Sequence, residues 1–149
     1  MLTAKDIMTT DIVTVSPETD VSQAARLLLE KHINGIPVVD SSGGIVGILC
    51  QSDLIAQQKK ISLPSLFTLL DGFISFSSTK NLDMEFKKIA AIKVSEAMTA
   101  DPITVSPDTV IEEIATLMVN RGFHTVPVIQ DGKLVGIIGK EDVLKTIIS

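Results

Sequence analysis

One block of this chain is written twice. Met8-Thr9 returns as Met98-Thr99, 90 residues later. At the same spacing Asp11 returns as Asp101 and Thr14-Val15-Ser16-Pro17 as Thr104-Val105-Ser106-Pro107. Thr19, Ala25 and Leu27 return as Thr109, Ala115 and Leu117, and Pro37-Val38 as Pro127-Val128. The spacing then falls to 89, because the first copy holds one extra turn residue. Val46-Gly47-Ile48 thus matches Val135-Gly136-Ile137, and Asp53 matches Asp142. A fixed period marks a fold built from one repeated unit. A unit of about 50 residues cannot bury its own apolar face, so the two copies are expected to pack on each other.

Each copy carries the same order of signals. Ile12 to Val15 is a short β-branched run, stopped by Ser16-Pro17 because proline and the residue before it are confined to extended geometry. Thr19 or Asp20 can cap the next helix, in which Val21, Ala24, Ala25, Leu28 and Leu29 share a face. Ile36 to Val39 and Ile45 to Leu49 read as strands about a Ser41–Gly44 turn, and a last helix opens near Ser52-Asp53. In the second copy a helix from Val110 to Asn120 stops at Gly122. Strands from Val126 to Ile129 and Leu134 to Ile138 then flank Asp131-Gly132, a strong hairpin signal, before a helix over Val143 to Ile148. The unit is β-α-β-β-α, and the fold class is α/β (α+β) with two tandem units. Residues 1–58 form the first, 94–149 the second, and 59–93 a linker read as a helical insertion with Pro64 in a first turn.

The overall balance excludes several functions. Net charge is −5 over 149 residues, and Lys59-Lys60 and Lys87-Lys88 are isolated pairs, so the basic footprint that nucleic acid needs is missing. An acidic chain draws in no phosphate from a distance, so any phosphate contact must be local. The single cysteine, Cys50, suits a reducing cytoplasm, the expected location. No apolar run reaches the ~20 residues of a membrane span, and no secretory signal follows Met1. There is no nucleophile elbow, phosphate-gripping Gly-rich loop or metal spacing, so the chain is expected not to be an enzyme. Glu112-Glu113 lie beside a helix start and read as a solvated surface.

Two series carry a family resemblance. The first is Met8-Thr9, Val13-Thr14-Val15, Gly35-Ile36-Pro37-Val38-Val39-Asp40, Gly47-Ile48-Leu49 and Asp53. The second is Met98-Thr99, Ile103-Thr104-Val105, Val126-Pro127-Val128-Ile129, Gly136-Ile137-Ile138 and Asp142. Together they resemble a cystathionine-β-synthase (CBS) domain pair, the Bateman module, over almost the whole chain outside the linker. The resemblance implies two packed sheets with helices outside, related by a pseudo-two-fold axis, and two clefts between the repeats. It further implies an adenosine ligand there (AMP, ADP, ATP or S-adenosylmethionine), homodimerisation into a flat disc of four repeats, and regulation of a separate or attached protein.

The same resemblance assigns site residues. Asp53 and Asp142 fall on the ribose-binding aspartate of a Ser/Thr-x-x-Asp motif, where a carboxylate accepts both sugar hydroxyls. An aspartate at a helix start is also an ordinary N-cap. The motif's hydroxyl is replaced by Cys50 and Gly139, and Glu141 adds charge beside Asp142. Thr14, Thr19, Gly35 and Ile36 in the first copy match the adenine pocket, as do Thr104, Thr109, Thr125 and Val126 in the second. The threonines also suit strands and caps on their own account. Asn34 and His124, three residues before each proline, match a phosphate contact that reaches across to the other repeat. The cleft of Asp53 with His124 is therefore expected to be better than that of Asp142 with Asn34. His32 reads as a helix-end cap and Cys50 as a small buried hydrophobe.

A different reading makes the chain a ligand-free scaffold. Leu66, Phe67, Leu69, Leu70, Phe73, Ile74 and Phe76 of the linker would then dock an unknown partner protein, although they suit packing on the chain's own sheets or completing a homodimer.

Overall fold

The computed structural model describes residues 1–60 and 92–148. The expected linker helices and the apolar run from Leu63 to Phe76 lie outside the described residues.

The first half contains α1 (Ala4–Ile7), α2 (Val21–Glu30), β1 (Gly35–Val39), β2 (Ile45–Cys50) and α3 (Gln51–Lys60). The second contains α4 (Val94–Ala97), β3 (Thr99–Ala100), α5 (Ile111–Arg121), β4 (Thr125–Gln130), β5 (Lys133–Gly139) and α6 (Lys140–Ile148). β1 and β2 form an antiparallel hairpin, as do β4 and β5, each with one bulge. Asp40 closes the first turn by accepting the backbone N–H groups of Ser42 and Gly44 at 2.9 and 3.0 Å. The second closes on Asp131 and Gly132, both left-handed, as this two-residue connection requires.

The expected strand from Ile12 to Val15 is reduced to a single parallel bridge. Val15 donates to Pro37 O at 3.1 Å and accepts from Val39 N–H at 2.9 Å. Val105 does the same with Pro127 and Ile129. Pro17 and Pro107 follow at once and end the pairing. Helix α2 also differs from the expected face. Val21, Ala24 and Leu28 are buried, but Leu29 is 72% exposed and Leu27 takes its place against the core. Asp20 precedes α2 without capping it through its side chain and instead pairs with Lys93 at 2.6 Å.

The halves exchange their first segments. The first core joins Val15, Val21, Ala24, Leu28, Ile36, Val38 and Leu49 to Val94 and Ala97. The second joins Val105, Ile114, Val126, Val128 and Ile138 to Ala4, with Ile7 and Met8 packed against it. Each fully buried Leu, Ile or Val contributes about 1.5–3 kcal/mol, so the borrowed segments weigh on stability. Backbone bonds follow the same exchange: β3 pairs with β2, and Thr9 exchanges two hydrogen bonds with Ile137 at 2.8 and 3.0 Å.

Gly136 and Gly47 make this docking possible. A Cβ on Gly136 would run into the Met8 sulfur and lie 2.7 Å from its Cγ and 3.0 Å from its Cβ. A Cβ on Gly47 would meet the Met98 sulfur and lie 3.0 Å from Thr99 O. The repeated Met-Thr pairs and the repeated Val-Gly-Ile strands are thus the two sides of one contact, made twice. Gly35 and Thr125, equivalent residues of the two copies, touch between the halves. A Cβ on Gly35 would be 3.2 Å from Thr125 Cβ and Oγ1. The symmetric exchange and this contact show the pseudo-two-fold relation of the repeats.

Candidate functional site

Among the described residues two clefts open between the halves, and each is built from both. In the first, β2 runs into α3 and delivers Cys50, Gln51, Ser52 and Asp53. Across from them stand Arg121, Phe123, His124 and Thr125, from the end of α5 and the start of β4. The cavity volume is 710 Å³. In the second, Gly139, Lys140, Glu141 and Asp142 face Lys31, His32, Ile33, Asn34 and Gly35 about 300 Å³. The structure therefore brings Asp53 together with His124, and Asp142 together with Asn34. Asn34 and Thr125 line both clefts and form a shared wall.

The aspartates sit at the third helical position rather than at the cap. Asp53 Oδ2 accepts the Cys50 N–H at 2.8 Å and Oδ1 accepts the Thr99 hydroxyl at 3.1 Å. Asp142 Oδ2 accepts the Gly139 N–H at 2.8 Å. Each carboxylate thus satisfies an orphan donor at its helix start, one half of a capping box. Both aspartates line their clefts, and each has a second carboxylate oxygen beyond the one that accepts the helix-start N–H. At Asp142 it accepts no hydrogen bond among the described residues, and at Asp53 it holds only an exposed hydroxyl that ligand hydroxyls can displace. The capping and ligand-accepting roles are therefore compatible in one residue.

Four of the threonine positions lie elsewhere. Thr14 and Thr104 are exposed and outside both clefts, because successive side chains of an extended segment point to opposite sides. Their neighbours Val13 and Ile103 line the second and first clefts instead. Thr19 accepts the Ser16 N–H at 3.1 Å and Thr109 the Ser106 N–H at 3.0 Å, closing local turns outside the clefts. Thr14 and Thr19 share a shallow depression on the first half. Ile36 and Val126 are fully buried beside the clefts rather than lining them. His32 stands in the left-handed region at φ +54° after the end of α2 and faces the second cleft. Sequence reasoning missed Arg121, Lys31, Lys140 and Lys145 as cleft residues. Only Lys31 and Arg121 carried a signal, since they are equivalent residues 90 apart beside the matched positions, whereas Lys140 and Lys145 match Gln51 and Ala56.

Cys50 lines the first cleft beside Asp53, with a half-buried thiol whose pKa burial, and then the Asp53 charge, push up to about 11. The thiol is therefore protonated at neutral pH and unreactive. At pH 8 iodoacetamide should alkylate the folded chain about 100-fold more slowly than the urea-unfolded chain, as a rise from 9.0 to about 11 implies. The raised folded value also fixes a sign: this thiol favours folding below pH 9.0 and loses that contribution as pH climbs toward 11. Equal alkylation rates in the two states would contradict the burial.

Among the described residues no group of three or more His, Cys, Asp or Glu side chains is placed to hold a metal. No helix among them is long and apolar enough to cross a membrane.

Two repeats that exchange segments around a pair of clefts define a tandem-repeat α/β architecture with sites between its halves. The CBS domain model matches residues 4–60 and 94–149, and the chain belongs to the CBS domain family. CBSX2, a chloroplastic CBS domain-containing protein of Arabidopsis thaliana, is 31% identical over 136 residues, covering 88% of this chain and 56% of that one. The chain thus spans little more than half of that relative. MJ1426 of Methanocaldococcus jannaschii is 32% identical over 152 residues, covering 97% of this chain and 90% of that one. The crystal structure of CBSX2 in complex with AMP superposes with a TM-score of 0.73 at 30% identity, covering 99% of this chain and 97% of that one.

Proposed function

We propose that the chain is a non-catalytic regulatory module that binds an adenosine ligand in the clefts between its repeats and signals its occupancy to a partner protein. The carrying observation is the first cleft, where Asp53 of one half faces His124 and Arg121 of the other across 710 Å³. A carboxylate suits the ribose hydroxyls, and a guanidinium and an imidazole suit a phosphate. A CBS pair 30% identical to this one has been crystallised with AMP. The reading extends to ADP, ATP or S-adenosylmethionine, with the protein in a reducing cytoplasm. Gly35, Thr125 and Asn34 form the cleft walls, and Ile36 and Val126 hold those walls from behind.

A ligand that binds only the folded state raises its stability, by about 2.7 kcal/mol at 100 times Kd. A thermal melt with AMP in that excess should therefore rise by several degrees. Unchanged melting with AMP, ATP and S-adenosylmethionine would defeat the proposal.

The partner nearest at hand is a second copy. Exposed apolar side chains recur in matched pairs: Leu29 with Val119 at 72 and 81%, and Ile55 with Leu144 at 65 and 56%. A repeated apolar pattern on outward helices suits a symmetric interface of four repeats. Sedimentation should give a dimer, and Leu29→Glu with Val119→Glu should give a folded monomer. A monomer before substitution would count against the disc.

A further inference from the structure

We propose that the two clefts sort adenosine ligands by phosphate charge, and that the smaller cleft, around Asp142, takes the di- or triphosphate. This rests on the reading of both clefts as adenosine sites and adds a ligand class to one of them.

The smaller cleft is lined by Lys31, Lys140 and Lys145 together with His32. The larger has Arg121 and His124. The ion pairs formed by lysines among the described residues are Lys5 with Asp108 and Lys93 with Asp20. The three cleft lysines are thus not neutralised by direct contact. Acids are present too: Asp11 and Glu141 beside Asp142 in the smaller cleft, and Asp101 beside Asp53 in the larger. Setting aside the ribose carboxylate of each, three lysines face two acids in one cleft, and one arginine faces one acid in the other.

The smaller cavity is 300 Å³ against 710 Å³, so a longer ligand there has to run out along its lysine-lined rim, and the preference rests on charge rather than on room. Lys31, Lys140 and Lys145 are exposed, which puts them at that rim. Lysine ammoniums on long flexible stems can follow a phosphate chain, with three donors each. A single guanidinium fork with one imidazole matches a lone phosphate. Every added phosphoryl group brings more negative charge and more acceptor oxygens to the lysine rim.

The test is titration calorimetry on the full chain with adenosine, AMP and ATP, without divalent cations. Asp53→Ala leaves the smaller cleft as the binding site. Asp53→Asn, which keeps an acceptor for the Cys50 N–H, replaces it if the alanine variant does not fold. In that background ATP should bind at least ~5-fold more tightly than AMP, with a steep loss on adding salt. Adding Lys31→Gln, Lys140→Gln and Lys145→Gln should abolish the ATP advantage and flatten its salt dependence. Adenosine affinity should stay within ~2-fold, since exposed lysines touch the phosphates and not the nucleoside. Equal affinity for AMP and ATP in the Asp53 variant, or a preference that survives the three substitutions, overturns the sorting proposal alone. Silence of the unsubstituted, folded chain toward adenosine, AMP and ATP overturns the adenosine reading, and the sorting falls with it.

Discussion

Gly136→Ala should lower the stability of the chain by about 2–3 kcal/mol, the scale of overpacking in a closely fitted interior. The added methyl meets the Met8 side chain from its sulfur down to its root, not only its flexible end, since the Met8 Cβ itself would be 3.0 Å away. The first segment cannot move off without uncovering the second core, where Ala4 is fully buried and Ile7 and Met8 pack against it. Urea unfolding measures the loss. Met8→Ala in the same chain should recover part of it, so the two changes will not add. Gly139→Ala serves as the control. Its Cβ would lie 3.7 Å from Asp142 Oδ2, an ordinary contact, so the expected change is under ~1 kcal/mol. Equal effects at Gly136 and Gly139 would mean that the segment exchange does not carry the stability assigned to it.

Asp53→Ala should weaken AMP binding in the larger cleft by ~100-fold or more. Hydrogen bonds from ribose hydroxyls to a carboxylate contribute about 1.5–3 kcal/mol each, and alanine removes the carboxylate that accepts them. The substitution also frees the Cys50 N–H that Oδ2 accepts at 2.8 Å, which costs about 1 kcal/mol of folding stability. The two effects separate cleanly, since melting without ligand reports the cap and calorimetry reports the ribose contact. A variant that loses stability but keeps AMP affinity would reduce Asp53 to its capping role.

The hairpins were legible in the sequence because their signals are local. Asp131-Gly132 dictates a tight turn, and flanking apolar runs supply the strands. The last helices were legible through Asp53 and Asp142, although both stand at the third position and not at the cap. The extended run before Pro17 was harder to size. Backbone bonds at Val15 alone make it a bridge, and its alternation sends Val13, not Thr14, into a cleft. The short helices α1 and α4 went unread, although Thr3 and Asp6 carry a box signal and bond at 2.8 Å. The exchange of segments could not be read at all. A repeat spacing shows which residues are equivalent, but not whether a segment docks on its own half or on the other. The lysine rim of the smaller cleft was hidden for the same reason: Lys31 meets Lys140 and Lys145 only after the halves have packed.

The clefts between the repeats are proposed to bind an adenosine ligand. Titration of AMP into the folded chain, followed by calorimetry, tests it most directly. Saturable heat is expected in the unsubstituted chain, and most of the AMP affinity should be lost in Asp53→Ala. A folded chain that gives no heat with AMP, ATP or S-adenosylmethionine would contradict it.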